Sequence, residues 1–163
     1  MAYADFAFYK ASYYGEALTD ETTAARWLDR ASDEIDALTF GRLTFAMPTV
    51  EAHVLKVKKA VCAVAEALFY IDIQSKAAMA QKAEDGTYRG AVASISSGRE
   101  SISFSGNSAT ASAYAAAAAS EGARRHLIGS IAVKYLANIP DAAGVNLLYA
   151  GEVRHVRQHD HPV

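Results

Sequence analysis

The sequence predicts a mainly α-helical domain: a small helical bundle with a long central helix, a β-hairpin insertion and an extended C-terminal arm. Three observations carry that reading. Apolar residues recur at intervals of three and four along much of the chain, the mark of helices that bury one face. One such stripe, from Val50 to Ile71, keeps its spacing for about six helical turns. Strand-like alternation is confined to a serine-rich stretch, 86–106. A chain of 163 residues has room for one core rather than two. Residues 1–142, hairpin included, therefore read as one helical domain, and 143–163 as the arm.

The opening, Tyr3 to Gly15, holds Tyr3, Phe6, Phe8, Tyr9, Tyr13 and Tyr14 and suits a short helix or turn packed onto another element. From Thr19 an amphipathic helix begins. Thr19 or Asp20 can cap it, Asp20 and Glu21 suit its positive end, and Ala24, Trp27, Leu28, Ala31, Ile35 and Leu38 form its buried stripe. Phe40-Gly41 breaks it near Thr39, and Pro48 marks the next turn. In the long helix Val50, Val54, Val57, Val61, Val64, Leu68 and Ile71 alternate spacings of four and three, flanked by Leu55, Cys62 and Phe69. Lys56, Lys59, Glu66 and Tyr70 take its outer side, and it frays between Ser75 and Lys82 before Asp85-Gly86 ends it.

The run Ala91 to Ser96 and the run Ser101-Ile102-Ser103-Phe104 alternate as strands about Gly98. Their serines leave this hairpin little apolar surface, so it needs a neighbour to be stable. The alanine run up to Ala119 has the highest helix propensity and is read as the start of one long final helix. Leu127, Ile128, Ile131, Tyr135 and Leu136 give that helix its core stripe, and Pro140 with Asp141 ends it. In the arm, Leu147, Leu148 and Tyr149 form an apolar knot ahead of the polar stretch Arg154 to His161.

Composition narrows the function. Hydrophobic residues at 52%, charged residues at 21% and a mean hydropathy of +0.02 describe a packed soluble domain rather than a disordered chain. No apolar run approaches the roughly 20 residues that span a bilayer, so no membrane partner is expected. The first ten residues carry Asp5 and lack an apolar run, so they are not read as a secretory signal, and a cytoplasmic chain is expected. One cysteine allows neither an internal disulfide nor a thiolate zinc site. Sixteen basic against eighteen acidic residues disfavour tight DNA binding, which usually draws on a basic surplus.

Candidate chemistry is sparse. Cys62, with His53 or His126 as base, is a conceivable nucleophile, but its place on the apolar flank of the long helix favours core packing. His155, His159 and His161 include one i,i+4 pair that would ligate a metal only in a helix, which Pro162 opposes. Lys56, Lys58 and Lys59 beside His53 form a basic cluster that could face DNA, diluted by Glu51 and Glu66. There is no phosphate-cradling glycine loop, nucleophile elbow or paired-histidine motif. No enzyme activity and no cofactor are expected.

Several stretches, taken in order, resemble the head-tail connector, or adaptor, proteins of long-tailed bacteriophages. They are Tyr3-Ala4-Asp5-Phe6 through Tyr9 to Tyr14-Gly15; Ala31-Ser32, Ile35-Asp36 and Thr39-Phe40-Gly41-Arg42; Val57 to Glu66; Ser94 to Phe104; and Leu147-Leu148-Tyr149-Ala150-Gly151. The chain departs from the pattern in the run Ala109 to Ala119 and beyond Gly151. The resemblance implies a structural virion protein, a helical bundle that closes into a ring of about twelve subunits through heterologous contacts. It would sit at the head-tail interface, reached from the host cytoplasm during assembly. Its partners would be the portal protein and a head-closure (stopper) or tail-completion protein, with genome DNA passing through the lumen without sequence-specific binding. Leu147, Leu148 and Tyr149 would then dock on the portal or a neighbouring subunit, and Ser101, Ile102, Ser103 and Phe104 would pack between subunits. The alternative is a DNA-binding packaging protein, a small terminase-like ring, using Lys56, Lys58, Lys59, Arg124 and Arg125.

Overall fold

The computed structural model describes residues 2–80, 94–97, 100–103 and 112–149. The chain is mainly helical, and each helix start or stop has a local cause. Asp5 caps α1 (Phe6–Ala11) by accepting the Phe8 amide. Asp20 caps α2 (Glu21–Leu38) by accepting the Thr23 amide at 2.7 Å, so of the two candidate caps it is the one used. At the other end of α2 the Gly41 amide bonds the Asp36 carbonyl and the Phe40 amide that of Ala37. That double closure is a Schellman motif, and it places Phe40 at φ +56 and Gly41 at φ +69. One turn of helix, α3 (Arg42–Phe45), follows and stops short of Pro48.

The long central helix is α4 (Glu51–Ala80), on which α2, α5 (Ala113–Ala119) and α6 (Glu121–Leu136) all pack. Its predicted stripe is buried at Val57, Val61, Val64, Leu68 and Ile71, whereas Val50 and Leu55 remain exposed near its start. Because helices surround it, Ala60, Cys62, Ala65 and Ala67 are buried as well, and the apolar face is wider than one stripe. The same crowding corrects Glu66, which the sequence assigns to the solvent side. It is half-buried beneath the opening segment and accepts hydrogen bonds from Tyr9 (2.6 Å) and Tyr13 (3.3 Å).

The final helix is also corrected. It is two helices, broken at Ser120, whose backbone is extended (φ −142, ψ 127). Tyr114 lies against Tyr70 with ring centroids 5.3 Å apart and Ala117 is buried, so packing on α4 turns α5 out of line with α6. Propensity alone cannot register such a contact. In α6 the buried positions are Ile128, Ala132 and Leu136, with Ile131 and Tyr135 half-covered beside them.

Two short strands, β1 (Ser94–Ser97) and β2 (Glu100–Ser103), pair antiparallel with Ser94 opposite Ser103. The rest of the stretch 86–106, Gly98 and Phe104 included, lies outside the described residues, as do 150–163 of the arm. Of the arm, 143–149 folds back rather than extending. The Leu147 amide bonds the Ile139 carbonyl at 2.8 Å, and Asn146 pairs with Pro140.

Candidate functional site

Two segments that carry exposed apolar residues, Phe40 and Phe45 on one and Val145 and Tyr149 on the other, meet at Arg42, which holds them together. Arg42 opens α3 directly after the Phe40-Gly41 turn. Its Nη1 reaches Asp141 Oδ2 at 3.2 Å and its Nη2 donates to the Tyr149 carbonyl at 2.8 Å. Asp141 in turn organises the loop after α6, its Oδ1 accepting the Ala143 (2.8 Å) and Val145 (2.9 Å) amides. The Val145 amide, then Arg42, hold the Asp141 carboxyl below its usual range. One side chain thus ties the turn after α2 to the C-terminal loop.

Around this clamp the surface is apolar. Phe45 is 90% exposed, Phe40 55%, Tyr149 51% and Val145 37%. A cleft of about 340 Å³ opens between Arg42, Phe45 and Ala46 on one side and Asp141 to Ala143 on the other. Phe40 adds a second anomaly. A left-handed backbone costs a residue with a Cβ about 1–2 kcal/mol that glycine avoids, yet an aromatic residue occupies the position and leaves its ring half in water. No described residue covers the ring, and a large apolar side chain left exposed at such a cost is a candidate for contact with a partner.

Three adjacent residues expected to dock together are split by the structure. Leu147 is fully buried in the subunit's own core and is not a free anchor, because the fold-back onto Ile139 turns it inward. Leu148 is half-covered against the same core, and Tyr149 alone of the three is exposed, its carbonyl held by Arg42. The hairpin residues Ser101, Ile102 and Ser103 lie in β2, and Phe104 is outside the described residues.

The basic candidates do not form one free cationic face. Lys56 is exposed, but the Lys58 ammonium sits 5.3 Å over the Phe8 ring and Lys59 is half-buried. Arg124 pairs with Glu34 at 2.6 Å and Arg125 with Glu121 at 3.1 Å. The Cys62 thiol is buried, and burial pushes its pKa up to about 12, so it is a neutral core residue at physiological pH. Among the described residues no three acidic, cysteine or histidine side chains meet as a metal site, and no helix is long and apolar enough to cross a membrane. The histidines at 155, 159 and 161 lie outside the described residues.

Sequence reasoning missed Phe45 and the part Arg42 plays. Phe40-Gly41 signalled a helix end, but Arg42 finds its partner 99 positions away, so no local spacing announces it. An aromatic pair around a glycine turn, Phe40 and Phe45, is the one signal that was available. No family model, curated protein or solved structure matches the chain.

Proposed function

We propose that the chain is a ring-forming head-tail adaptor of a long-tailed bacteriophage, joining the portal vertex to a stopper or tail-completion protein and lining the channel for DNA. The observation that carries this reading is the apolar surface around Arg42, where Phe40, Phe45 and Tyr149 are exposed and no described residue covers them. The sequence resemblance supplies the class of partner, and a closed ring of copies is the assembly it implies. In this reading the docking surface comprises Phe40, Phe45 and Tyr149, with Leu148 at its edge, and the hairpin residues Ser101, Ile102, Ser103 and Phe104 add contacts between subunits.

Charge supports a channel wall over a DNA clamp. The net charge is −2, and Arg124 and Arg125, which the packaging-protein alternative would need, are already paired with acids. A wall without a basic surplus lets phosphates pass, since each fixed neutralising contact adds affinity. The test is a pair of titrations, one with the portal protein of the same genome and one with duplex DNA at low and moderate salt. Co-sedimentation with portal and no salt-sensitive DNA binding is the expected result. DNA binding at micromolar or tighter affinity with a steep salt slope, and no portal binding, would favour the packaging protein instead.

A further inference from the structure

The break between α5 and α6 carries a proposal of its own. The alanine run passes into α6 with no proline, and its first glycine is Gly122, so the sequence favours a continuous helix. The break gives up the three backbone hydrogen bonds that residues 121–123 would make to 117–119 in such a helix. Ser120 returns no side-chain cap to α6 in exchange. What holds α5 bent is its seat on α4, and that seat is slight. Six of the seven α5 residues are alanine, Ala117 is its buried residue, and Tyr114 on Tyr70 is its large contact. Below the break runs a cleft of about 360 Å³, lined among others by Trp27, Leu68, Ile71, Ala117, Ser120 and Arg124. A one-residue hinge that interrupts a strong helix former over a loosely filled seat is the arrangement that favours exchange of an element between copies.

We propose that α5 leaves its own seat, joins α6 as one straight helix and docks in the same seat on α4 of a second copy. The occupant needs no new complementarity, because the seat already fits α5 and every copy carries both. Even with β1 and β2 left paired, residues 81–93 and 104–111 can span about 70 Å when extended, so the connection to α4 does not forbid the move. Reciprocal exchange gives a dimer, while exchange passed in one direction closes a ring. The exchange stands without the adaptor reading; the ring it would close rests on that reading.

Two substitutions bias the hinge in opposite directions. Glu121→Pro puts proline at the first position of α6, where it is tolerated, after an extended Ser120 that suits the residue before proline; in a continuous helix it would clash with the preceding turn. Ser120→Ala favours the straight helix. Glu121→Ala controls for the lost ion pairs to Arg124 and Arg125. Mass is read by light scattering. A short bismaleimide is added to mixtures of chains carrying Ser75→Cys or Ala118→Cys, two residues that line the cleft from α4 and from α5, each in the hinge backgrounds. The expected result is a several-fold larger oligomer fraction for Ser120→Ala than for the parent, with cross-links between copies. Glu121→Pro should be monomeric and free of intercopy cross-links, and Glu121→Ala should behave as the parent does. Equal oligomer fractions for Glu121→Pro and Glu121→Ala, or oligomers in which Ser75→Cys and Ala118→Cys chains never cross-link, would overturn the exchange. Portal binding by the same variants is scored separately, and its uniform failure would count against the adaptor reading alone.

Discussion

Arg42 and Asp141, 99 residues apart in sequence, form an ion pair at 3.2 Å that joins the turn after α2 to the loop after α6. The pair joins the segments that carry Phe45 and Tyr149, so the exposed apolar surface they form is a product of tertiary structure rather than of either segment alone. Without the guanidinium, two oxygens in the C-terminal loop lose their donor. Arg42→Met should therefore speed amide exchange across 141–149 while leaving α4 protected, and hydrogen-exchange mass spectrometry reads both at once.

Asp141 makes part of this stability acid-sensitive. Its carboxyl is held below the ordinary value of 3.8, so the charged form is favoured in the folded state. The stabilisation is complete above that value and is lost as pH falls through the lower folded-state value. The stability difference between the parent and Asp141→Asn should be constant from pH 7 to 5 and vanish in strong acid. Denaturant titrations at several pH values check the sign, and a difference that grew on acidification would contradict it.

Phe40→Gly should stabilise the subunit by about 0.5–1 kcal/mol, since glycine relieves the left-handed strain at the end of α2 and loses part of that gain to its freer unfolded chain. The same change should weaken assembly. A variant that melts higher and docks less well would separate strain kept for function from strain without a role.

Tyr9 links three elements. It donates to Glu66 at 2.6 Å and accepts the Leu18 amide at 3.1 Å, and its ring passes so close to Gly15 that a Cβ there would fall 2.0 Å from it. Tyr9→Phe should cost about 1–3 kcal/mol in denaturant unfolding, because it strips a buried amide of its acceptor and a carboxylate of a donor. Desolvation, then hydrogen bonding to Glu66, raises the Tyr9 pKa, and desolvation with the charge of Glu66 raises that of Tyr13. A raised phenol favours the neutral folded form, so this stability is intact below about pH 10 and falls above it. Spectrophotometric titration should show these tyrosines ionising only with alkaline unfolding.

Leu147→Ala should cost about 2–5 kcal/mol, as expected for a core leucine, whereas Tyr149→Ser should change stability by about 0.5 kcal/mol or less. Thermal melts of the two variants distinguish the buried member of the pair from the exposed one. Equal, small losses would return Leu147 to the surface.

The features legible in the sequence were the local ones. Asp20 caps α2 because a carboxylate three residues ahead of the Thr23 amide needs no tertiary partner, and Phe40-Gly41 ends the helix for a reason contained in those residues. The valine ladder of α4 marked the central helix, because burial repeats with helical geometry. Ser120 was not legible as a break, since only the packing of Tyr114 on Tyr70 opposes the alanines' preference to continue. Glu66 looked solvated because its phenol partners lie more than fifty positions upstream. Leu147 looked exposed for a related reason: its cover comes from a fold-back that an apolar triplet does not encode.

The adaptor reading meets its most direct test in an electron cryomicroscopy map of this chain bound to portal rings from the same genome. The account predicts a closed ring of copies on the portal with Phe45 and Phe40 buried at a protein contact, and loss of that ring for the Phe45→Ser variant. Portal rings without the chain attached, or a ring in which the Phe45 end faces open solvent and Phe45→Ser assembles as well as the parent, would contradict it.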